Sequence, residues 1–406
     1  MEFPQETPVS KIYQDKVNGS LVLLEVFCLQ HFSVKKLDDK TFKDCPSIFR
    51  LIYMICFLTL VASVMVFYII EDEGSLSIKE VQSKNFLAFA IKTTMNLGIF
   101  GVVCTNVIQS YLTTKNTKKI HLTSMEMARI LRDVLKCPVD FDRLTKFTMR
   151  RLLFTVCFFL INHCALILFK LDDRRLMSVV VGSLPMFMLF LCAFKFNIYV
   201  WWINNQIQYL NMFLKTIFQK PVTKVISTIN QKVFPINPQI SYQNYMAQLL
   251  EARKMFNKIF SISSLLNQNQ GMLILMMLTV LLVALTASIY DVFIIALGEM
   301  KVQELPDKLH IISICSSLLL SIAIYCQKTQ NVMCELATTL DVIQCEQFEN
   351  IPTNVQIFLQ SFYLQVNHQP VSFSAFGFYT INLTLLASII TGIVSYEIIL
   401  VQFYAS

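Results

Sequence analysis

Long apolar blocks separated by polar segments dominate this chain, and the blocks are long enough to cross a bilayer. Windows of about twenty residues predict seven spanning helices: Ile48 to Ile70, Phe86 to Leu112, Leu152 to Phe169, Leu176 to Val200, Gly271 to Gly298, Leu309 to Gln327 and Ser374 to Phe403. The expected fold is therefore all-α, a polytopic membrane protein. An odd number of spans puts the two termini on opposite sides.

Two stretches are patterned as helices outside the membrane. Leu189 to Leu214 can continue the fourth span unbroken, with Trp201 and Trp202 as interface anchors, and Pro221, Pro235 and Pro238 mark the turn that follows. From Tyr242 the residues Tyr245, Leu249, Phe256, Ile259 and Phe260 recur at helical spacing and lead into the fifth span. A shorter helix from about Thr353 to His368 places Val355, Phe358, Leu359, Phe362 and Val366 on one face before Pro370 ends it. Such faces need a partner, either within the chain or in a second subunit.

The last span is read as one apolar helix from Phe373 to Phe403, and it carries a polar stripe. At 100° per residue, Thr384, Ser388, Thr391, Ser395, Ile398 and Gln402 fall within an arc of roughly 80°. From Thr384 to Gln402 the stripe covers about 27 Å, close to the depth of the hydrocarbon core. It suits a pore lining, and equally hydroxyls that bond back to their own helix or mediate close packing.

Lys and Arg set the orientation, because cytoplasmic flanks carry the excess. One side of the predicted bundle holds 25 of them and the other holds seven. This places the N-terminus in the cytosol and the C-terminus outside, the reverse of a seven-helix receptor coupled to G proteins. The predicted organisation is a cytosolic arm (1–47), spans one to four (48–200), a cytosolic helical extension (201–270), spans five and six (271–327), further cytosolic helices (328–370) and the seventh span (371–406); the resemblance described below implies that 328–370 form an anchor and that the seventh span lines a pore.

Composition agrees: 55% of residues are hydrophobic and only 15% are charged, against about 25% charged in soluble proteins. None of the twelve cysteines falls in a predicted external loop. They read as free thiols acting as small apolar residues, with no metal or redox role. The sequons at Asn18 and Asn382 fall in the cytosolic arm and in the last span, where glycosylation is not expected. No cleavable signal peptide is expected, since the run Leu21 to Leu29 is interrupted by Glu25. The spans lack paired aspartates, a His-Glu-x-x-His helix, a nucleotide loop and a repeated half, so no enzyme or transporter is predicted.

Ionisable groups inside spans are costly and usually face inward. Lys92, His163 and Asp291 each lie about six or seven residues from the predicted external end of their spans, roughly 10 Å deep. Asn162, Ser313, Ser316 and Ser317 add polar groups, and Pro185 is placed to kink the fourth span at a similar level. Either these residues form an externally open ligand pocket, or Lys92 and Asp291 pair to lock the bundle, or Lys92 snorkels to the interface. Lys195, near the cytosolic end of its span, is read as a snorkelling lysine.

The chain's end, Ser395-Tyr396-Glu397-Ile398-Ile399-Leu400-Val401-Gln402-Phe403, resembles the C-terminal signature of insect gustatory receptors, which is Thr-Tyr, five mostly apolar residues, then Gln-Phe. Ser395 replaces the usual Thr and Glu397 fills the first of the five positions, while Tyr396, Gln402 and Phe403 keep the spacing. His368-Gln369-Pro370 and the run Phe373 to Phe378 are also similar to that family's lead-in to its last helix. The resemblance implies a tastant-gated, non-selective cation channel of the plasma membrane of chemosensory neurons. Its cytosolic extensions would hold four subunits, as a homotetramer or as a heterotetramer with other gustatory receptors, around one pore. Gln402 would form the outer constriction with Phe403 beside it, and Ile398 an apolar ring one turn below. Glu397, about 140° from the stripe, would face neighbouring helices, as a link between pocket and gate or as a protonated structural carboxyl. Expected partners are a small-molecule tastant and membrane lipid, with no nucleic acid and no cofactor. The Tyr396-Glu397 pair is similar to that of some sugar-responsive members. The apolar spans, with few hydrogen-bond acceptors, instead suit a bitter or partly apolar tastant.

Overall fold

The computed structural model describes residues 52–59, 62–63, 86–135, 146, 150–151, 153–162, 164, 176–219, 238–298, 302–346 and 352–405. The arm 1–47, His163 and the segment 220–237 lie outside the described residues, as do the side chains of Lys92, Pro185 and Phe403. In chain order the helices are α1 (52–59), α2 (Phe86–Leu112), α3 (Thr114–Arg129), α4 (Leu153–Asn162), α5 (Leu176–Gln219), α6 (Pro238–Ala296), α7 (Leu305–Glu346), α8 (Thr353–His368) and α9 (Leu383–Ala405). A π-helical turn, Ile130–Val134, closes α3. Each of the seven predicted windows contains described helix. Four helical stretches among the described residues are long and apolar enough to cross a membrane, and Leu153–Asn162 and Leu383–Ile399 are shorter apolar helices.

The three longest helices exceed what a membrane requires. α5, α6 and α7 have 44, 59 and 42 residues, or about 65, 90 and 63 Å at 1.5 Å per residue, against a hydrocarbon core of about 30 Å. Each is both a span and a projecting rod. The continuity of α5 into its extension, and of the segment from Tyr242 into the fifth span, is as the periodicity predicts. α5 runs unbroken through Pro185. Pro238 opens α6, where its missing N–H costs nothing.

The rods pack on one another, α7 against both α5 and α6, and α8 fills the groove beside α7. Val355, Leu359, Phe362 and Val366 are buried on one face of α8, four of the five residues predicted there. Phe362 meets Phe256 of α6 edge to face at 5.8 Å. Arg253 of α6 donates to Gln365 Oε1 at 2.7 Å and lies over the Phe358 ring. The apolar face of α8 is thus covered within the chain.

The last span departs from expectation. Phe373 to Thr380 do not continue a helix: Ser374–Ala375 (β1) and Tyr379–Thr380 (β2) pair antiparallel, and α9 begins only at Leu383. Two local causes are visible. Phe376 and Gly377 adopt φ of 53° and 81°, which reverses the chain. Asn382 Oδ1 accepts from Leu385 N–H at 2.8 Å, a side-chain cap that starts α9.

Candidate pore and ligand sites

α9 packs on α7 and α6 through one face, where Ile393 is buried and Leu385, Leu386 and Ile389 rest against the core. The polar stripe lies on the other side. Thr384, Ser388, Thr391, Ser395 and Gln402 are exposed, as is Ile398 at 54%. Ser388, Thr391 and Ser395 donate to the carbonyls of Thr384, Ala387 and Thr391 at 2.9 to 3.0 Å. The hydroxyl protons are therefore used within the helix, and the oxygens still present lone pairs outward. Tyr396 is also exposed. Glu397 continues the packed row of Ile389 and Ile393. Both its carboxyl oxygens are enclosed and find no hydrogen-bond partner among the described residues.

The hairpin before α9 is clamped to α6. Asn267 Nδ2 donates to Ser372 O at 2.9 Å, and Asn267 Oδ1 accepts from Ser374 N at 3.2 Å. One turn further along α6, Gly271 faces the turn: a Cβ there would stand 3.0 Å from Phe376 N and 3.2 Å from Phe376 Cα. Only glycine lets the two backbones approach this closely. The outermost pairing, Ile381 N to Phe373 O at 2.8 Å, ties the hairpin shut just before Asn382 caps α9. Sequence reading missed this joint, although Gly377 and Asn382 are ordinary turn and cap signals.

Of the polar residues that the sequence assigns to the outer half, the structure places Asp291, Asn162, Ser313, Ser316 and Ser317. Asp291 pairs with Lys308 of α7 at 2.5 Å, an α6 to α7 bridge; the side chain of Lys92, the other partner considered for it, lies outside the described residues. Span assignment concealed this partner, because Lys308 was counted in an external loop whereas α7 begins at Leu305. Asn162 Nδ2 donates back to Phe158 O at 2.8 Å. Ser313 is half-buried and Ser316 exposed. Ser317 Oγ bonds to Ile314 O at 2.9 Å.

Lys195 does not snorkel. It is 3% exposed, and its ammonium donates to Ser110 Oγ of α2 at 3.0 Å. The end of α2 and the start of α3 cover this part of α5, so protein surrounds the side chain where lipid interface was expected. Nearby, His121 Nε2 lies 3.0 Å from Tyr199 OH, and Asn106 Nδ2 donates to Cys192 Sγ at 3.0 Å. Burial, reinforced by the charge of Lys195, depresses the His121 pKa from 6.5 to about 4. Amides join the same region to α6: Gln109 Nε2 donates to Asn269 O, and Asn116 Nδ2 to Asn269 Oδ1 at 3.0 Å.

A cavity of about 120 Å³ lies between α4, α5 and α7. Phe154, Phe158, Phe190 and Phe194 wall it, with Leu318 and Ser317 from α7. At one end stand Arg151, Asn197, Ser321 and Tyr325; Asn197 Nδ2 donates to Ser321 Oγ at 3.2 Å.

Solved structures share this architecture. The insect olfactory receptor OR5 from Machilis hrabei is similar with a TM-score of 0.65 and 14% identity, covering 96% of this chain and 100% of that one. The same receptor in complex with eugenol is similar with a TM-score of 0.68 and 14% identity, covering 96% and 99%. At that identity the likeness is one of fold. No curated protein matches the chain in sequence. The sequence matches the 7tm chemosensory receptor family from residue 21 to residue 406. The protein is a multi-pass membrane receptor whose chain belongs to the 7tm chemosensory receptor family.

Proposed function

We propose that this chain is a gustatory subunit of a small-molecule-gated cation channel, four subunits surrounding a pore lined by α9. The observation that carries the reading is the stripe Thr384, Ser388, Thr391, Ser395 and Gln402, left exposed opposite the face by which α9 packs on its own chain. A single helix encloses nothing, so the stripe acquires an aqueous partner only when copies meet around an axis. Rings of hydroxyls and amides offer dipoles without fixed charge, which suits weak selectivity among cations. Gln402 forms the outer constriction, and Ile398 supplies an apolar ring that dewets when the pore is narrow. α8 and the projecting ends of α5, α6 and α7 form the cytosolic anchor.

The ligand we infer is a bitter or partly apolar small molecule bound in the outer half of the bundle. The family resemblance supports a small-molecule site, as does the eugenol complex of the olfactory receptor with this fold. Near the outer ends of α6 and α7 the Asp291 to Lys308 pair and Ser313 supply its few polar groups.

The test is whole-cell current under voltage clamp in cells expressing only this chain, with G-protein signalling blocked, against sugars and bitter compounds. A rapid inward cation current is expected, and thiol reagents should reduce it in Ser388→Cys and Thr391→Cys variants. A response that disappears with the G-protein block would replace the channel with a metabotropic receptor. Silence with confirmed surface expression, relieved by co-expression of a second receptor, would make the chain an obligate partner in a heteromer.

A further inference from the structure

The cavity between α4, α5 and α7 lies well away from the outer polar residues. It is segregated along its length: Phe158, Phe190, Ala193 and Leu318 at one end, Arg151, Asn197, Ser321 and Tyr325 at the other. The polar end is the one that the Lys and Arg distribution assigns to the cytosol. Its arginine is exposed, with the guanidinium 5.2 Å from the Tyr325 ring centroid, which holds a cation at the level of lipid head groups. Leu153 and Phe154 on the α4 side are exposed, so the wall borders lipid and not a closed core. About 120 Å³ is comparable to apolar cavities of about 150 Å³ that stay dry and hold a benzene-sized group. The Asn197 Oδ1 acceptor is enclosed and has no donor among the described residues.

We propose that this cavity binds an anionic single-chain amphiphile from the inner leaflet, its head group on Arg151, the first few methylenes between the phenylalanines and the rest of the chain in the bordering lipid. An apolar slot with a cation at its wet end fits that chemistry. A cationic alkaloid would meet the charge of Arg151, and a sugar would leave most of the wall unsatisfied. A head group that also carries a hydroxyl would give Asn197 Oδ1 its missing donor. A fatty acid and a monoacyl glycerophosphate share the anionic head and the single chain, and the glycerophosphate alone of the two adds the hydroxyl. The site is separate from the outer-half tastant site, so each can fail without the other.

The full-length protein in phosphatidylcholine nanodiscs is photolabelled with three diazirine probes of equal chain length: a fatty acid, a monoacyl glycerophosphate and a neutral monoacylglycerol. The anionic probes should label peptides containing Phe154, Phe194 and Leu318. Arg151→Gln should lower this on the order of tenfold, as befits loss of a charge-assisted contact, while leaving the neutral probe unchanged. Ser317→Phe fills the slot and should abolish labelling by both anionic probes. The fatty acid outperforming the glycerophosphate, or the reverse, identifies the natural source. Labelling that is unchanged in Ser317→Phe, or equal for charged and neutral probes, overturns the proposal, and thermal unfolding midpoints in nanodiscs that match the parent protein show that both variants are folded.

Discussion

At the scale of single residues, the buried polar groups beneath the membrane segment dominate. His121 shows the sign of their effect. Its folded pKa of about 4 lies below the ordinary 6.5, so the folded protein refuses a proton that the unfolded chain accepts. The stability tied to its neutral form is present above pH 6.5 and is lost as pH falls toward 4, by roughly 3 kcal/mol across that window. Thermal unfolding in nanodiscs between pH 7 and 5 should show a falling midpoint, and His121→Gln should flatten the slope. Glu397 presents the opposite case, a carboxyl without partners among the described residues. Replacing an orphan polar group with an apolar one of similar shape removes a desolvation cost, so Glu397→Met should raise stability by about 1 to 3 kcal/mol. A raised midpoint with impaired ligand-evoked current would mark Glu397 as kept for gating; an unchanged or lower midpoint would mean that it has a polar partner in the assembled receptor.

At the scale of elements, the informative object is the joint between α8 and α9. Val355, Leu359, Phe362 and Val366 were legible in sequence because a 3.6-residue period needs only local spacing. The hairpin was not, because its residues are as apolar as a span and a hydropathy window cannot tell Phe-Ser-Ala-Phe-Gly-Phe in a turn from the same residues in a helix. What holds it is tertiary: Asn267 bridges Ser372 and Ser374, and Gly271 leaves room for Phe376. Phe376, a non-glycine residue at φ 53°, is strained and needs that support. The clamp ties the start of α9 to α6. Gly271→Val should cost about 1 to 3 kcal/mol through backbone overpacking, and Asn267→Ala a similar amount. Both should weaken ligand-evoked current while surface expression persists, whereas Gly392→Ala, in open space on α9, should leave that current near wild type.

At the scale of the molecule, three rods about two to three times longer than the hydrocarbon core is thick make one piece of the membrane bundle and its extramembrane end. α8 and the hairpin are seated on these same rods. The orientation of that assembly is testable without any ligand. An epitope at the C-terminus should be stained on intact cells, and one at the N-terminus only after permeabilisation. The reverse pattern would invert the arrangement assigned from 25 basic residues against seven.

Sequence alone determined the class of this protein: membrane, all-helical, with seven apolar windows, and a polar stripe on the last helix. Those properties are local, written in hydropathy and period, and the bilayer makes them nearly obligatory by leaving no other way to satisfy the backbone. Partners across the fold were decided by tertiary structure. Asp291 chose Lys308, because α7 starts early enough to present that lysine to α6. Lys195 is enclosed because α2 and α3 turn across α5 at its level. The cavity exists because the aromatic side chains of α4 and α5 do not fill the space left against α7, a helix distant from both in sequence. Spacing along a chain states which face a residue occupies, but depth, pairing and empty volume depend on which other faces arrive there.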